Sequence, residues 1–345
     1  MFRILLFIIL LAHPGCAQQK VTVPESGPGH FIQFTPTKFY NSFSLNIPPV
    51  LRIRSGDTAS TETIDASGHD KNGVKRQQGG NPLTGPFYIE DCREGDVLQI
   101  TLLRIALNRV SAFTTESFVS RSVPDSTSRL FKKPRIVRWT LDLNKGIGWP
   151  DSSSASYEHL QHFIVPLKPF LGCIGVAPSN RKNEILSFFQ GAFGGNMDFS
   201  SIRQSSIVYL PVFHEGGYLY FGDGHALQGD GEIAGNALET SLDLVFTIKV
   251  IKKEQLQITA PRVEDSIYIM SVGTAEKLDD ALKMATAGLI EWLQKDYRLN
   301  TGELTQVLST SIEYVIAEIA DPNVIVVARI KKALLLPLKP GEKSL

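Results

Sequence analysis

Excess charge of one sign is missing from this chain: Lys+Arg and Asp+Glu number 35 each. No basic footprint for nucleic acid follows from such a balance, and no bulk field selects a charged ligand. Cysteine is scarce, with only Cys16, Cys92 and Cys173. They form no Cys-x-x-Cys pair and no Cys/His spacing of a zinc site. A Gly-x-Ser-x-Gly nucleophile elbow is absent, and no cysteine has an evident histidine partner in sequence. The familiar signatures of acyl-enzyme hydrolysis are therefore not there. Internal repeats and long low-complexity segments are also lacking. What remains is a globular composition, 43% hydrophobic and 20% charged over 345 residues, with ample core for one large domain or two to three modest ones. A small neutral or weakly polar ligand is the default expectation.

The N-terminus carries a charged start, Met1-Phe2-Arg3, then an apolar run from Ile4 to Ala12. That run is too short to cross a bilayer and fits a secretory signal over residues 1–17. Gly15-Cys16 reads as a loose lipobox, with Cys16 acylated, or Gly15-Cys16-Ala17 as an ordinary small-x-small cleavage site. Both readings predict export, to the periplasm or to a membrane-anchored lipoprotein, and the lipoprotein is slightly favoured. Cys173 lies in the apolar run Phe170 to Val176, so buried free thiols are expected in preference to a Cys92–Cys173 bridge.

From Val21 to about Val250, short β-rich runs alternate with Gly, Pro, Asn and Asp. Strand-like runs cover Phe87 to Ile89, Val97 to Ile105, Ile136 to Leu143, Ile207 to Val212, Tyr218 to Phe221 and Leu242 to Ile251. Ala66 to Asn81 and Asp151 to Ser156 read as polar loops. Near Leu278 the period changes. Leu278, Ala281, Leu282, Ala285, Leu289 and Trp292 recur at three- and four-residue steps, an amphipathic helix, and Asp279 and Asp280 suit its N-terminal dipole. A second helix is expected from Thr301, continuing toward Ile316 and Ile319, before a strand at Val324 to Ala328. The fold class expected is α+β and predominantly β: a sandwich- or barrel-like body over 18–260, a β-helix-helix-β portion over 261–335 and a tail over 336–345.

The densest chemistry lies in Phe221-Gly222-Asp223-Gly224-His225-Ala226-Leu227-Gln228-Gly229-Asp230-Gly231-Glu232. Four glycines here imply positive φ angles or close backbone approach. Carboxylates and an imidazole entered from an apolar strand are costly unless they pair or hold a metal. Asp-Gly pairs alone would read as hairpin turns, but the segment is long, and Gln228 and Glu232 are poor turn residues. Gly194-Gly195-Asn196-Met197-Asp198 adds an amide and a carboxylate after two glycines.

In order and separation these pieces resemble the acetamidase/formamidase family. They are joined by Thr84-Gly85-Pro86, Gly95-Asp96-Val97-Leu98, Gly172-x-Ile174-Gly175-Val176-Ala177-Pro178, Leu210-Pro211-Val212 and Glu239 seven residues beyond Glu232. The resemblance runs from about Pro48 to Ile330. It implies hydrolysis of a short linear amide to a carboxylate and ammonia, a largely β fold with an α+β C-terminal portion, and a homo-oligomer. Asp91-Cys92, where family members often have Gly-Ala, and the leader are departures that bear on the physiological substrate. A larger amide or lactam is one alternative, and a non-catalytic surface or periplasmic binding protein is another.

Cleaving an amide requires an activated water or nucleophile, a stabilised oxyanion and a protonated nitrogen. The acid-rich motif fits metal-assisted hydrolysis, with a divalent ion such as zinc. His225 and Asp223 are the expected ligands, with Asp198 and Asp65 completing an open site; on an extended segment Asp223 and His225 share one face. Glu232 is the candidate general base and proton donor, with Asp223 also contributing to catalysis, and Asn196 and Gln228 are candidates to hold the amide. Each has a plainer alternative: His225 as a hydrogen-bonded core histidine, Asp223 and Asp198 as turn or loop caps, Glu232 paired to an arginine. A metal-free mechanism with paired carboxylates stays open.

Overall fold

The computed structural model describes residues 29–131, 135–151, 158–180 and 182–338. The leader with Cys16, most of the 151–156 loop and the end of the tail lie outside the described residues.

The apolar/polar alternation of Val97–Leu107 and Leu242–Ile251 makes both half-buried strands, and they pair antiparallel at the centre of a nine-stranded sheet. Along that sheet the order is Phe31–Gln33, Thr58–Glu62, Leu242–Ile251, Val97–Leu107, Ile207–Pro211, Arg262–Glu264, Tyr268–Ala275, Val324–Lys331 and Glu313–Glu318. A second, eleven-stranded sheet has Leu219–His225 at its centre, beside Phe170–Gly175 on one edge and Glu239–Thr240 and Leu83–Ile89 on the other. Both sheets are open, so the body is a sandwich and the barrel-like alternative is set aside. The sheets meet through one apolar cluster. Phe246 of the first packs on Phe221 and Phe87 of the second, ring centroids 4.6 and 5.8 Å apart. Each fully buried phenylalanine contributes about 1.5–3 kcal/mol through lost apolar exposure.

The expected helices are Leu278–Tyr297 and Thr301–Ser311. Ala281, Ala285, Leu289 and Trp292 form the buried stripe of the first, while Leu278 and Leu282 turn to solvent. Its close seat depends on Gly273, where any Cβ would strike the helix backbone at Ala281 and Ala285. Asn300 caps the second helix through a reciprocal box with Glu303. That helix does not continue to Ile316 and Ile319. Glu313–Glu318 is a strand paired to Val324–Lys331, because Tyr314, Val315 and Ile316 are β-favouring residues that alternate between solvent and core. Arg262–Glu264 pairs directly with Ile207–Pro211, so the segment after residue 260 extends the body's own sheet. Cys92 and Cys173 are free and buried.

Candidate active site

The acidic, glycine-rich motif begins as strand. Leu219–His225 runs fully buried through Gly222-Asp223-Gly224-His225, because glycine at alternate positions lets neighbouring strands approach. Register places Phe170 and Glu239 opposite His225, and Cys173 and Leu171 opposite Gly222 and Gly224. Gly172 therefore faces Asp223, and a Cβ there would collide with the carboxylates of Asp198 and Asp223. Asp223, Asp198 and Glu232 all hold left-handed backbone, at φ 53°, 42° and 49°. Such conformations cost on the order of 1–3 kcal/mol each and persist where surrounding structure enforces them, often at functional sites.

His225 Nε2 lies 3.4 Å from Asp223 Oδ2, 3.4 Å from Glu239 Oε2 and 3.8 Å from Asp198 Oδ1. One donor atom each of Asp198, Asp223 and His225 falls within 4.8 Å of the others, and the same holds for His225, Glu232 and Glu239. Three of the carboxylates have one tethered oxygen. Asn196 Nδ2 donates to Asp198 Oδ2 at 2.6 Å, Asn81 Nδ2 to Asp223 Oδ2 at 3.1 Å, and the Ala237 amide to Glu239 Oε1 at 2.9 Å. Their second oxygens, Asp198 Oδ1, Asp223 Oδ1 and Glu239 Oε2, are buried without a hydrogen-bond partner, as are both ring nitrogens of His225. Unpaired buried polar atoms of this kind cost about 1–3 kcal/mol each.

Electrostatics sharpen the point. Burial, then the Glu232 and Asp223 carboxylates, pushes Asp198 well above the usual carboxylate range. Burial raises Glu232 and Glu239 as well, although His225 opposes it in both. Burial alone would strip the proton from His225, yet Glu239 and Asp223 outweigh it and raise the imidazole well above its ordinary value. Four carboxylates around one imidazole form a charge cluster with too little positive charge, which a divalent cation would balance. The donor set of imidazole nitrogen and carboxylate oxygens suits zinc and related ions, so the residues fit a metal.

The structure brings together Asp198, Asp223, His225 and Glu232. Glu239, noted in sequence only as a companion of the motif, joins them, because pairing of Glu239–Thr240 with the motif strand carries it opposite His225. Asn81, at the head of the 81–86 segment, also reaches the site. Asp65 does not join: it pairs with Arg109 at 2.8 Å and accepts from Ser67 Oγ and the His69 amide at 2.8 Å each. Its carboxylate is satisfied by a buried guanidinium, which replaces the ligand role. Asp65→Asn is expected to cost about 3–5 kcal/mol by stranding buried Arg109, read as a lower urea midpoint with unchanged metal content. Loss of metal at unchanged stability would return Asp65 to the ligand set.

Asn196 is fully engaged by its neighbours. Its Nδ2 donates to Asp198 and to Asp321 Oδ2 at 2.8 Å, and its Oδ1 accepts from Asn81 at 3.1 Å and Cys173 at 2.7 Å. With the amide spent on neighbours, Asn196 orients Asp198. Gln228 spends its Nε2 on the carbonyls of Asp198 and Ala317, at 2.7 and 3.1 Å, leaving only a buried, unpartnered Oε1. It ties the Asp198 backbone to the C-terminal strand Glu313–Glu318. Behind Asn196 stand two further acids, buried Glu318 and half-buried Asp321: burial pushes Asp321 up to about 7 and Glu318 up to about 8.

The sequence model of the Acetamidase/Formamidase family matches residues 31–187 and 191–334. A predicted acetamidase/formamidase from the thermophile Thermoanaerobacter tengcongensis superposes with a TM-score of 0.76, covering 90% of this chain and 98% of its own, at 26% identity. An acetamidase from Yersinia enterocolitica gives 0.73, covering 88% and 93%, at 29% identity. A protein of Schizosaccharomyces pombe named a putative formamidase is 24% identical over 262 residues, 62% of this chain, which spans 64% of that relative's length. With the family model covering nearly all described residues and the motif built into the site, the chain belongs to the acetamidase/formamidase family.

Proposed function

We propose that the protein hydrolyses short linear amides of the formamide and acetamide class to a carboxylate and ammonia, with a divalent ion, zinc, held by His225, Asp198, Asp223 and Glu239. The observation that carries this reading is the gathering of Asp198, Asp223 and Glu239, each with a buried partnerless oxygen, within 3.4–3.8 Å of His225 Nε2. A bound zinc ion would supply a polarised carbonyl and an acidified water.

The remaining work falls to the chain. Glu232 is the most exposed member of the cluster, at 7% against 0–2% for the others. It stands past the end of the strand, on a turn held by hydrogen bonds of Gly231 to Ala317 and Ile319, where a substrate arrives. A carboxylate raised by burial is a better proton acceptor from water, and once protonated it is poised to deliver that proton to the departing nitrogen. Asn196, Asn81 and the Ala237 amide fix the carboxylates so that binding requires little rearrangement. Homo-oligomeric assembly belongs to the same reading, and the leader-like start supports export, to be checked by fractionation and mass analysis of the mature N-terminus.

The test is ammonia release from formamide, acetamide and propionamide by the purified protein, before chelation, after it, and after zinc is restored. Release that chelation abolishes and zinc restores is expected. No ammonia from any of them, with folded and zinc-loaded protein, overturns the amidase reading; release indifferent to chelation overturns the metal and leaves a carboxylate mechanism.

A further inference from the structure

Ala320-Asp321-Pro322-Asn323 lies between the paired strands Glu313–Glu318 and Val324–Lys331. Asp, Pro and Asn in such a place read as an ordinary turn, in which the aspartate caps its own backbone. Here another residue takes that task. Buried Glu318 accepts through Oε1 from the amides of Ala320 and Asp321, the latter at 2.7 Å, and through Oε2 from Gln190 Nε2 at 3.0 Å. Gln190 Nε2 also donates to the Asn323 carbonyl at 3.0 Å, and Asn323 Nδ2 to the Gln190 carbonyl at 3.1 Å. Arg121 donates to the carbonyls of Ile319, Asp321 and Pro322. The turn is fixed by these bonds without the carboxylate of Asp321.

That carboxylate meets Asn196, 125 residues earlier, whose Nδ2 donates to Asp321 Oδ2 at 2.8 Å. The same nitrogen donates to Asp198 Oδ2 at 2.6 Å. A side-chain amide nitrogen has two hydrogens in a fixed plane, so a partner on one sets the direction of the other. Ionised carboxylates only accept, which puts the nitrogen of Asn196 toward Asp198 and Asp321 and its oxygen toward Asn81 and Cys173. Holding Asp198 by Oδ2 leaves its partnerless Oδ1 to face His225, 3.8 Å from Nε2. Asp321 also stands within the field of the cluster: after burial, and against the Asn196 hydrogen bond, the Asp223 charge adds to the rise of its carboxyl.

We propose that Asp321 is a positioning residue for the metal site: through Asn196 it fixes the direction of the Asp198 carboxylate, which makes the C-terminal turn a working part of that site. The proposal rests on the zinc site proposed above.

The experiment measures the zinc Kd of the folded protein by competition with a chromophoric chelator, beside the urea midpoint of the metal-free form. Parent, Asp321→Ala, Asp321→Asn and Asn323→Ala are compared. Asp321→Ala is expected to weaken zinc binding about tenfold, at the lower end of the range for outer partners of metal ligands, because Asn81 and Cys173 still hold the oxygen of Asn196. Asp321→Asn retains an acceptor for Asn196 and is expected to keep most of the affinity. Asn323→Ala loosens the turn without touching Asn196, so it should lower the midpoint and leave the Kd unchanged, which separates positioning from a merely structural role. If Asp321→Ala does not fold, Asp321→Glu, which displaces the carboxylate by a methylene, takes its place with the same expected loss. An unchanged Kd in Asp321→Ala, an equal loss in Asp321→Asn or an equal loss in Asn323→Ala each overturns the positioning role while the zinc site stands. A folded parent that binds no zinc overturns both.

Discussion

Glu232→Gln is expected to lower kcat for acetamide by about 10²–10⁴-fold, the range for losing a positioned general base, while the protein stays folded and its zinc content matches the parent's. The substitution preserves shape and removes only the ability to take a proton. Glu232 differs from the other three carboxylates in its seat: Asp223 lies on the buried central strand, Glu239 on its neighbour, and Asp198 is held by Asn196. Burial already holds the Glu232 carboxyl well above its usual range against the pull of His225, so an uncharged amide of the same shape should leave the thermal midpoint nearly unchanged. Three measurements divide the roles. A collapsed kcat with unchanged zinc content and midpoint identifies a base; lost zinc along with lost activity identifies a ligand; activity within tenfold of the parent removes Glu232 from the chemistry.

The balance between what sequence reveals and what it hides follows the range of the interactions. Leu278–Tyr297 was legible because its apolar spacing is local, and Val97–Leu107 and Leu242–Ile251 because alternation is local. The shared face of Asp223 and His225 follows from two-residue spacing on a strand, and the structure places both at the site. Glu239 could be noticed as part of a motif but not placed, since its position depends on pairing with His225 on one side and with Phe113, far away in sequence, on the other. Asp65 fails as a ligand for a similar reason: nothing near it in sequence announces that Arg109 will neutralise it. Asn196 has the right chemistry to bind an amide, yet its four hydrogen-bond partners come from Asn81, Cys173, Asp198 and Asp321. Only the assembled fold shows that none of its capacity is left over. The Glu313–Glu318 strand was hidden by a helix period that fades after Ile312, where pairing with Val324–Lys331 overrides it.

The stabilisation conferred by zinc is expected to grow with pH between about 5 and 8. In the metal-free protein, burial holds Asp321 at about 7 and Glu318 at about 8, above their ordinary values of 3.8 and 4.5. The folded state then binds more protons than the unfolded one across that window, so stability falls as pH rises through it. His225 acts in the same direction: its raised folded value contributes stability that is complete below about 6.5 and is lost as pH climbs through the folded value. Zinc reverses the slope, because its ligands must be deprotonated and binding becomes tighter as protons leave. Each proton displaced on binding changes affinity about tenfold per pH unit, or about 1.4 kcal/mol, and zinc at 100 times its Kd adds about 2.7 kcal/mol. In a chain of this size that is a gap of several degrees between metal-free and zinc-loaded midpoints, narrow at pH 5 and widest at pH 8. Parallel midpoint curves over that range would mean that zinc binds without displacing protons from the cluster. In that case the ligand carboxylates are already ionised in the metal-free protein at pH 5, and the imidazole, not protons on the carboxylates, balances them.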